Sequence, residues 1–172
     1  MAVLGIDFGT SNSGAAVAVN GVARLVPLEP GKDMLPTAVL LDYAARETFF
    51  GNAAVAAMID GREGRFMRAL KSVLGTPLAR EKRQFMNRRL TLLEIVAEFL
   101  GEVRARAARS LGVDHRRVIV GRPVHFHSAD DGRDAQAAED LAECYRMAGF
   151  DEVRFLNEPE AAAWAAGPTP GL

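Results

Sequence analysis

The spacing of apolar and polar positions divides the chain into stretches of different rhythm. VLGIDFG (3–9) alternates weakly between glycines, and SGAAVAV (13–19) is a second extended run. Asn20-Gly21 is the preferred two-residue hairpin signal, since both central positions of such a turn need positive φ. VARLVPL (22–28) then returns as a third strand, so the pattern predicts an antiparallel meander at the start of the chain. EPGKDMLP (29–36) reads as loop, punctuated by Pro and Gly. TAVLLDY (37–43) and TFFG (48–51) are short strands around a polar turn, NAAVAAMI (52–59) is a short helix, and GREG (61–64) ends it.

RFMRALKSVLG (65–75) has apolar residues at helical spacing and predicts a helix closing on Gly75. The polar, basic residues 76–90, with Arg80, Lys82, Arg83, Arg88 and Arg89, read as a surface excursion. A long helix is expected from Thr91, where Glu94 three positions on completes a capping-box pattern. Its apolar face is Leu92, Ile95, Val96, Phe99, Val103 and Ala107, and Gly112 marks its end. RVIVG (117–121) is a continuous apolar run of the kind a strand buried on both faces shows. A helix over about 130–148 carries Ala135, Ala138, Leu141, Ala142 and Tyr145 on one side and stops at Gly149. EVRFL (152–156) follows as a strand, and Pro159 opens an alanine-rich helix, EAAAWAAG. Strand, helix, strand at this spacing predicts a parallel βαβ unit with a right-handed crossover.

Composition narrows the class. The 172 residues are 49% hydrophobic and 25% charged, enough to bury one domain's core. A net charge of −1 leaves no electrostatic footprint for nucleic acid or an anionic membrane. The single cysteine, Cys144, excludes an internal disulfide framework and fits a reducing compartment. MAVLGIDFG lacks the layout of a signal peptide, and no apolar run reaches spanning length, so a cytoplasmic protein is expected.

The candidate chemistry lies at three strand ends. A carboxylate inside a strand costs several kcal/mol to desolvate unpaired, so Asp7 must face a cation, a polar site or solvent. The turn after it, Gly9-Thr10-Ser11-Asn12-Ser13, offers closely spaced backbone N–H groups and hydroxyls, with Gly9 permitting a ligand to come close. Carboxylate beside anion nest suits a phosphate carrying Mg²⁺, the metal held by Asp7 directly or through water. A plain hydrogen-bonded hairpin with an edge aspartate is the alternative. The turn is neither a P-loop nor a dinucleotide fingerprint, for it lacks the Lys-Ser/Thr ending and Gly-x-Gly-x-x-Gly. RVIVG runs into Arg122-Pro123, and EVRFL into Asn157-Glu158-Pro159. Ligands of open α/β sheets sit outside the carboxyl ends of strands, so the three ends can share one crevice. Glu158 would be a second carboxylate there, orienting a water or hydrated metal, or else a helix-capping residue that complements the dipole.

GIDFGTSNS resembles the first phosphate loop of the actin-like ATPase superfamily, which includes the seventy-kilodalton heat-shock chaperones, actin and sugar kinases. VIVGRPVHF followed by GFDEVRFLNEPEAAAWA resembles the corresponding segments of DnaK-like chaperones, and the Gly-Arg-Pro wording is nearest to the YegD-type branch. FMRALKSVLG is similar to the segment that carries the family's catalytic lysine. The resemblance implies an α/β, ribonuclease-H-like lobe: a mixed five-stranded sheet with helices over 1–28 and 113–172, and a small peripheral subdomain inserted at 29–112. It implies ATP or ADP with Mg²⁺ as ligands. Thr10 and Ser11 would hold the β- and γ-phosphates within the loop Gly9–Asn12, and Asp7 and Glu158 would bind waters of the Mg²⁺ shell. Lys71 would reach the γ-phosphate, and Pro123 with Arg122 would relay nucleotide state outward. The parent protein would be a heat-shock-type chaperone ATPase, with unfolded polypeptide and co-chaperones as partners. The family's second phosphate loop and adenine-binding half would be expected after GPTPGL, so this chain is read as an N-terminal half-domain with negligible turnover of its own. His125 stands where chaperone members carry an aromatic residue, and the span from Pro123 to Glu158 is longer than theirs, which bears on coupling to a substrate-binding domain. The rival readings are a sugar-kinase-type phosphotransferase and a non-catalytic interaction module that kept the fold.

Other signals weigh less. His125 and His127, near Asp130 and Asp131, lack further ligands at metal-site spacing. Cys144 sits on an amphipathic helix with no base partner and is expected buried and inert, and Trp164 is expected in the core or against a second lobe. The cluster Arg104, Arg106, Arg109, Arg116 and Arg117 has no interleaved aromatics and reads as a solvated face.

Overall fold

The computed structural model describes residues 3–122 and 131–157. In chain order its elements are β1 (Leu4–Phe8), β2 (Asn12–Val19), β3 (Val22–Leu25), β4 (Met34–Pro36), β5 (Ala38–Asp42) and β6 (Glu47–Phe50). Then come α1 (Asn52–Ile59), β7 (Gly64–Arg68), β8 (Arg83–Phe85), β9 (Arg88–Leu90), α2 (Leu92–Leu111), β10 (Arg117–Arg122), α3 (Asp131–Met147) and β11 (Glu152–Asn157).

The main sheet runs β11-β10-β1-β2-β3, and β4 pairs the start of β2. β1 is antiparallel to β2 and parallel to β10, and β10 is parallel to β11, so the meander and the βαβ unit join along β1. Leu4, Ile6 and Phe8 of β1 and Val118 and Val120 of β10 are buried on one face, against α2 and α3. With a side-chain period of two, Gly5, Asp7 and Ile119 fall on the other face, which is open; Leu25 and Ile119 there are 59% and 40% exposed.

The capping box that starts α2 is complete: Thr91 Oγ1 accepts from Glu94 N at 3.1 Å, and Glu94 Oε2 accepts from Thr91 N at 2.6 Å. Gly112, at φ 69°, ends the helix in the left-handed region where a Cβ is penalised. The buried face is wider than its sequence pattern, for Leu93, Ala97 and Leu100 are also covered while Leu92 is only half-buried. Phe99 meets the rings of Phe8 and Phe50 at 6.0 and 6.4 Å, linking both sheets to this helix.

The second sheet is β6-β5-β7, and every residue of β5 is buried. Ala38 and Leu40 pack with Ala54 and Ala57 of α1 on one side, while Val39 and Leu41 join the main core on the other. Asp42 ends the strand as a turn acceptor, taking the N–H groups of Ala44 and Ala45 at 2.9 and 2.8 Å and Arg62 Nη1 at 3.1 Å.

Several sequence expectations change. Residues 65–75 are not a helix: pairing with β5 draws them into β7, Ala69 at φ 51° breaks the run, and one 3₁₀ turn follows at Leu70–Val73. Residues 76–90 are not merely a surface excursion, since the β8–β9 hairpin buries Phe85 and Leu90, and a 3₁₀ turn buries Ala79. Part of 29–36 is β4, which brings the main sheet to six strands where five were expected. On α3, Ala135 is exposed, and Ala137 and Cys144 take the buried positions beside Leu141 and Tyr145. The helix expected after Pro159, with Trp164, lies outside the described residues.

Two of these turns make an acid-sensitive pair. The Ala45 N–H above all holds the Asp42 carboxyl below its usual value of 3.8, and the Thr91 N–H does the same for Glu94 against 4.5. A carboxyl depressed in the folded state contributes stability above its unfolded pKa and loses it as pH falls through the folded value. The thermal midpoint is therefore expected to drop below about pH 4.5, within reach of these carboxyls. Asp42→Asn and Glu94→Gln should each lower the neutral-pH midpoint and flatten that acid limb; an unchanged limb in both variants would remove this account.

Candidate functional site

Three segments meet over the open face of the main sheet, around a cleft of about 740 Å³. Its floor is paved with small residues: Gly5, Gly14, Ala16 and Gly121. Leu25, Met34, Ile119 and Leu156 stand around these small residues and give the cleft an apolar rim.

Asp7 and the turn after it form one wall. Phe8 pairs with Ser13, leaving Gly9–Asn12 to make the bend. A Cβ at Gly9 would sit 2.3 Å from the Asn12 carbonyl oxygen, so the chain folds back on itself at a distance only glycine permits. The turn is held from outside the cleft. Thr37 N donates to Ser11 O at 2.9 Å, Asn12 pairs with Pro36 of β4, and the buried hydroxyls of Ser13 and Thr37 share a hydrogen bond of 2.8 Å. Thr10 lines the cleft, whereas Ser11 and Asn12 are exposed beside it. Asp7 is exposed on this face; its negative charge, after burial as the larger cause, helps push the buried Tyr145 hydroxyl beneath the sheet well above its ordinary value.

Lys71 forms the opposite wall, carried on the 3₁₀ turn Leu70–Val73. Leu70 and Leu74 are buried on either side of it and anchor that turn. Gly75 N, just beyond, donates to the buried carboxylate of Asp140 on α3 at 2.8 Å, and Asp140 also accepts from Arg80 at 2.7 Å and Gln136 at 2.9 Å. A Cβ on Gly75 would lie 2.3 Å from the Arg133 carbonyl oxygen, which shows how closely the turn and α3 approach.

Of the candidate residues, the structure brings Asp7, Gly9, Thr10 and Lys71 to one cleft, with the β10 backbone at Gly121 as its third side. Glu158 and Pro123 lie outside the described residues, and of Arg122 and Asn157 only the strand backbone is described. His125 and His127 also lie outside them; among the described residues no three His, Cys, Asp or Glu side chains gather as a metal cluster. Cys144 is buried, its thiol donates to Leu93 O at 3.5 Å, and burial above all pushes its pKa up. A groove of about 660 Å³ beside α2 is a weaker candidate, because its Arg106 is already committed to Glu29 and Glu102 at 2.6 and 2.7 Å.

Sequence reasoning missed Asp140 and the Ser13–Thr37 pair. Asp140 had a signal: it is a charge one turn from both Ala137 and Cys144 and adjacent to Leu141, all on the apolar face of α3. Ser13 had none, because its partner lies 24 residues away, at the start of the strand read over 37–43.

No protein-family model matches the chain. Among curated proteins it is similar to the chaperone protein HscA homolog of Rickettsia felis, with 29% identity over 177 residues, covering 95% of this chain and 26% of that protein. The HscA homolog of Rickettsia rickettsii is 30% identical, covering 95% of this chain and 28% of the relative, and that of Rickettsia prowazekii is 28% identical over 174 residues. This chain spans about a quarter of the length of these curated relatives. The likeness supports a place in the seventy-kilodalton heat-shock family, and the mixed sheet with its helices fits an ATPase lobe of that family. No helix among the described residues is long and apolar enough to cross a membrane.

Two substitutions test how the site is held. Gly9→Ala drives a Cβ into a backbone oxygen and is expected to cost about 1–3 kcal/mol in denaturant unfolding. Asp140→Asn keeps the shape but gives up the charge that Arg80 faces, and should cost about 1–3 kcal/mol as well. Unfolding curves superimposable on the parent would contradict either claim.

Proposed function

We propose that this chain is the phosphate-binding part of the ATPase domain of a cytoplasmic heat-shock-type molecular chaperone, of the YegD-type branch of the actin-like ATPases. The observation that supports the reading best is the meeting of Asp7, Gly9, Thr10 and Lys71, drawn from segments some sixty residues apart, around one small-residue floor. A carboxylate facing an ammonium across a nest of backbone N–H groups has the charges that a metal-bound triphosphate presents in reverse.

The residues present fit that ligand. Thr10, in the tight turn that Gly9 permits, lines the cleft beside Asp7, and Asp7 is an oxygen ligand of the sort Mg²⁺ takes directly or through water. When bound, Mg²⁺ neutralises charge on the β- and γ-phosphate oxygens. In this reading the amides and hydroxyls of Thr10 and Ser11 orient those phosphates, and the Lys71 ammonium sits on the γ-phosphate, where charge develops as water attacks in line. Glu158 orients that water or the hydrated metal, and Pro123 with Arg122 carries nucleotide state outward. Residues 29–112 form the inserted peripheral subdomain. Unfolded polypeptide and co-chaperones are the partners of the whole protein.

Isothermal titration of this chain with Mg-ATP is expected to give binding weaker than micromolar and no measurable turnover, because one lobe supplies half of the clamp. Asp7→Asn and Lys71→Ala should each weaken what binding there is by about tenfold or more, as loss of a charge-assisted contact does. Micromolar affinity would contradict the half-clamp reading, and indifference to both substitutions would remove the site itself.

A further inference from the structure

Residues 61–90 are basic beyond anything the cleft uses. They carry nine arginines and lysines against two glutamates, in a chain whose net charge is −1. Much of that charge is matched: Arg62 by Asp42, Arg80 by Asp140 and Glu143, Arg83 by Glu81, Arg88 by Glu98. Arg65 and Arg68 of β7 differ. Both are exposed, and among the described residues neither has a carboxylate within ion-pair distance.

Beside them runs a groove of about 450 Å³, lined in succession by Arg65, Phe66, Met67 and Arg68, with Arg83 and Phe85 of the β8 strand across from them. Side chains alternate faces along a strand, so four consecutive residues line one groove only when it follows the strand's edge. β7 is the outer strand of the three-stranded sheet and pairs with β5 alone. Its free edge therefore presents a row of backbone donors and acceptors, the template onto which an extended chain can add. Phe85 and Leu70, both buried, give the groove an apolar base.

We propose that this edge is a docking site for an extended, acidic polypeptide segment that pairs its backbone with β7 and sets its carboxylates against Arg65 and Arg68. Charge complementarity selects the sign of the partner, and the strand edge selects a polypeptide. A single-stranded nucleic acid would offer phosphates to the arginines but no amides in register with the strand. β7 belongs to the second sheet, and no residue lining its groove also lines the nucleotide cleft.

The test uses fluorescence anisotropy of this chain with a short labelled valine-rich peptide that carries two glutamates three positions apart, the separation of Arg65 and Arg68 on β7. Saturable, salt-sensitive binding is expected, weakened about tenfold or more by Arg65→Ala combined with Arg68→Ala, two exposed changes that leave the core intact. N-methylation of alternate peptide amides keeps charge and side chains but removes strand pairing, and should weaken binding to a similar degree. Absent binding, equal binding of the N-methylated peptide, or equal competition by an RNA oligomer of matched charge would each overturn the proposal.

Discussion

The period-two alternation of β1 is the constraint on which the site depends. Leu4, Ile6 and Phe8 are committed to the core under α2 and α3, and that commitment leaves Asp7 no choice of side. A one-residue slip would place the carboxylate among the rings of Phe99 and Tyr145 and expose three large apolar side chains. The energy that fixes the register is hydrophobic, while the feature it orients is polar. Neighbouring strands follow suit: Gly14 lies opposite Asp7 on β2, and β10 adds Ile119 and Gly121 to the same open face.

Buried polar contacts then do what apolar packing cannot, which is to position loops. The Ser13–Thr37 hydroxyl pair ties β2 to the segment after β4, and Asp140 ties α3 to the turn after Lys71. Neither group touches the cleft, yet each sets the wall on its own side. A buried carboxylate is costly to desolvate, and Asp140 offsets that cost with a backbone donor, a guanidinium and an amide. Turns held by directional bonds to rigid elements keep their geometry better than turns resting on side-chain contact alone.

Much of the fold was legible in the chain, and the reasons are local. The hairpin at Asn20-Gly21, the capping box at Thr91, the helix 52–59 and the strands on either side of α3 all carry short-range signals, and the structure has each of them. The errors cluster where pairing over distance decides the conformation. FMRALKSVLG has helical spacing, but β5 offers its residues 66–68 a strand partner, and that offer is invisible along the sequence. The hairpin within 76–90 was hidden by its charge, since only Phe85 and Leu90 turn inward. Asp7, Gly9 and Thr10 were readable because they are contiguous. That Lys71 shares their cleft depends on Ala69 and Gly75, whose left-handed backbone redirects the chain twice in seven residues.

Phe99 has a mechanical consequence. Its ring bears on Phe8, the residue after Asp7, and on Phe50, the last residue of β6. In an interior packed as densely as a crystal, a tilt of the small sheet presses on that ring and is passed to the end of the first strand. The stiffness of the cleft is thus set in part from a hinge point it never touches, and an aromatic of different girth at this joint would retune the cleft without altering a single group that lines it.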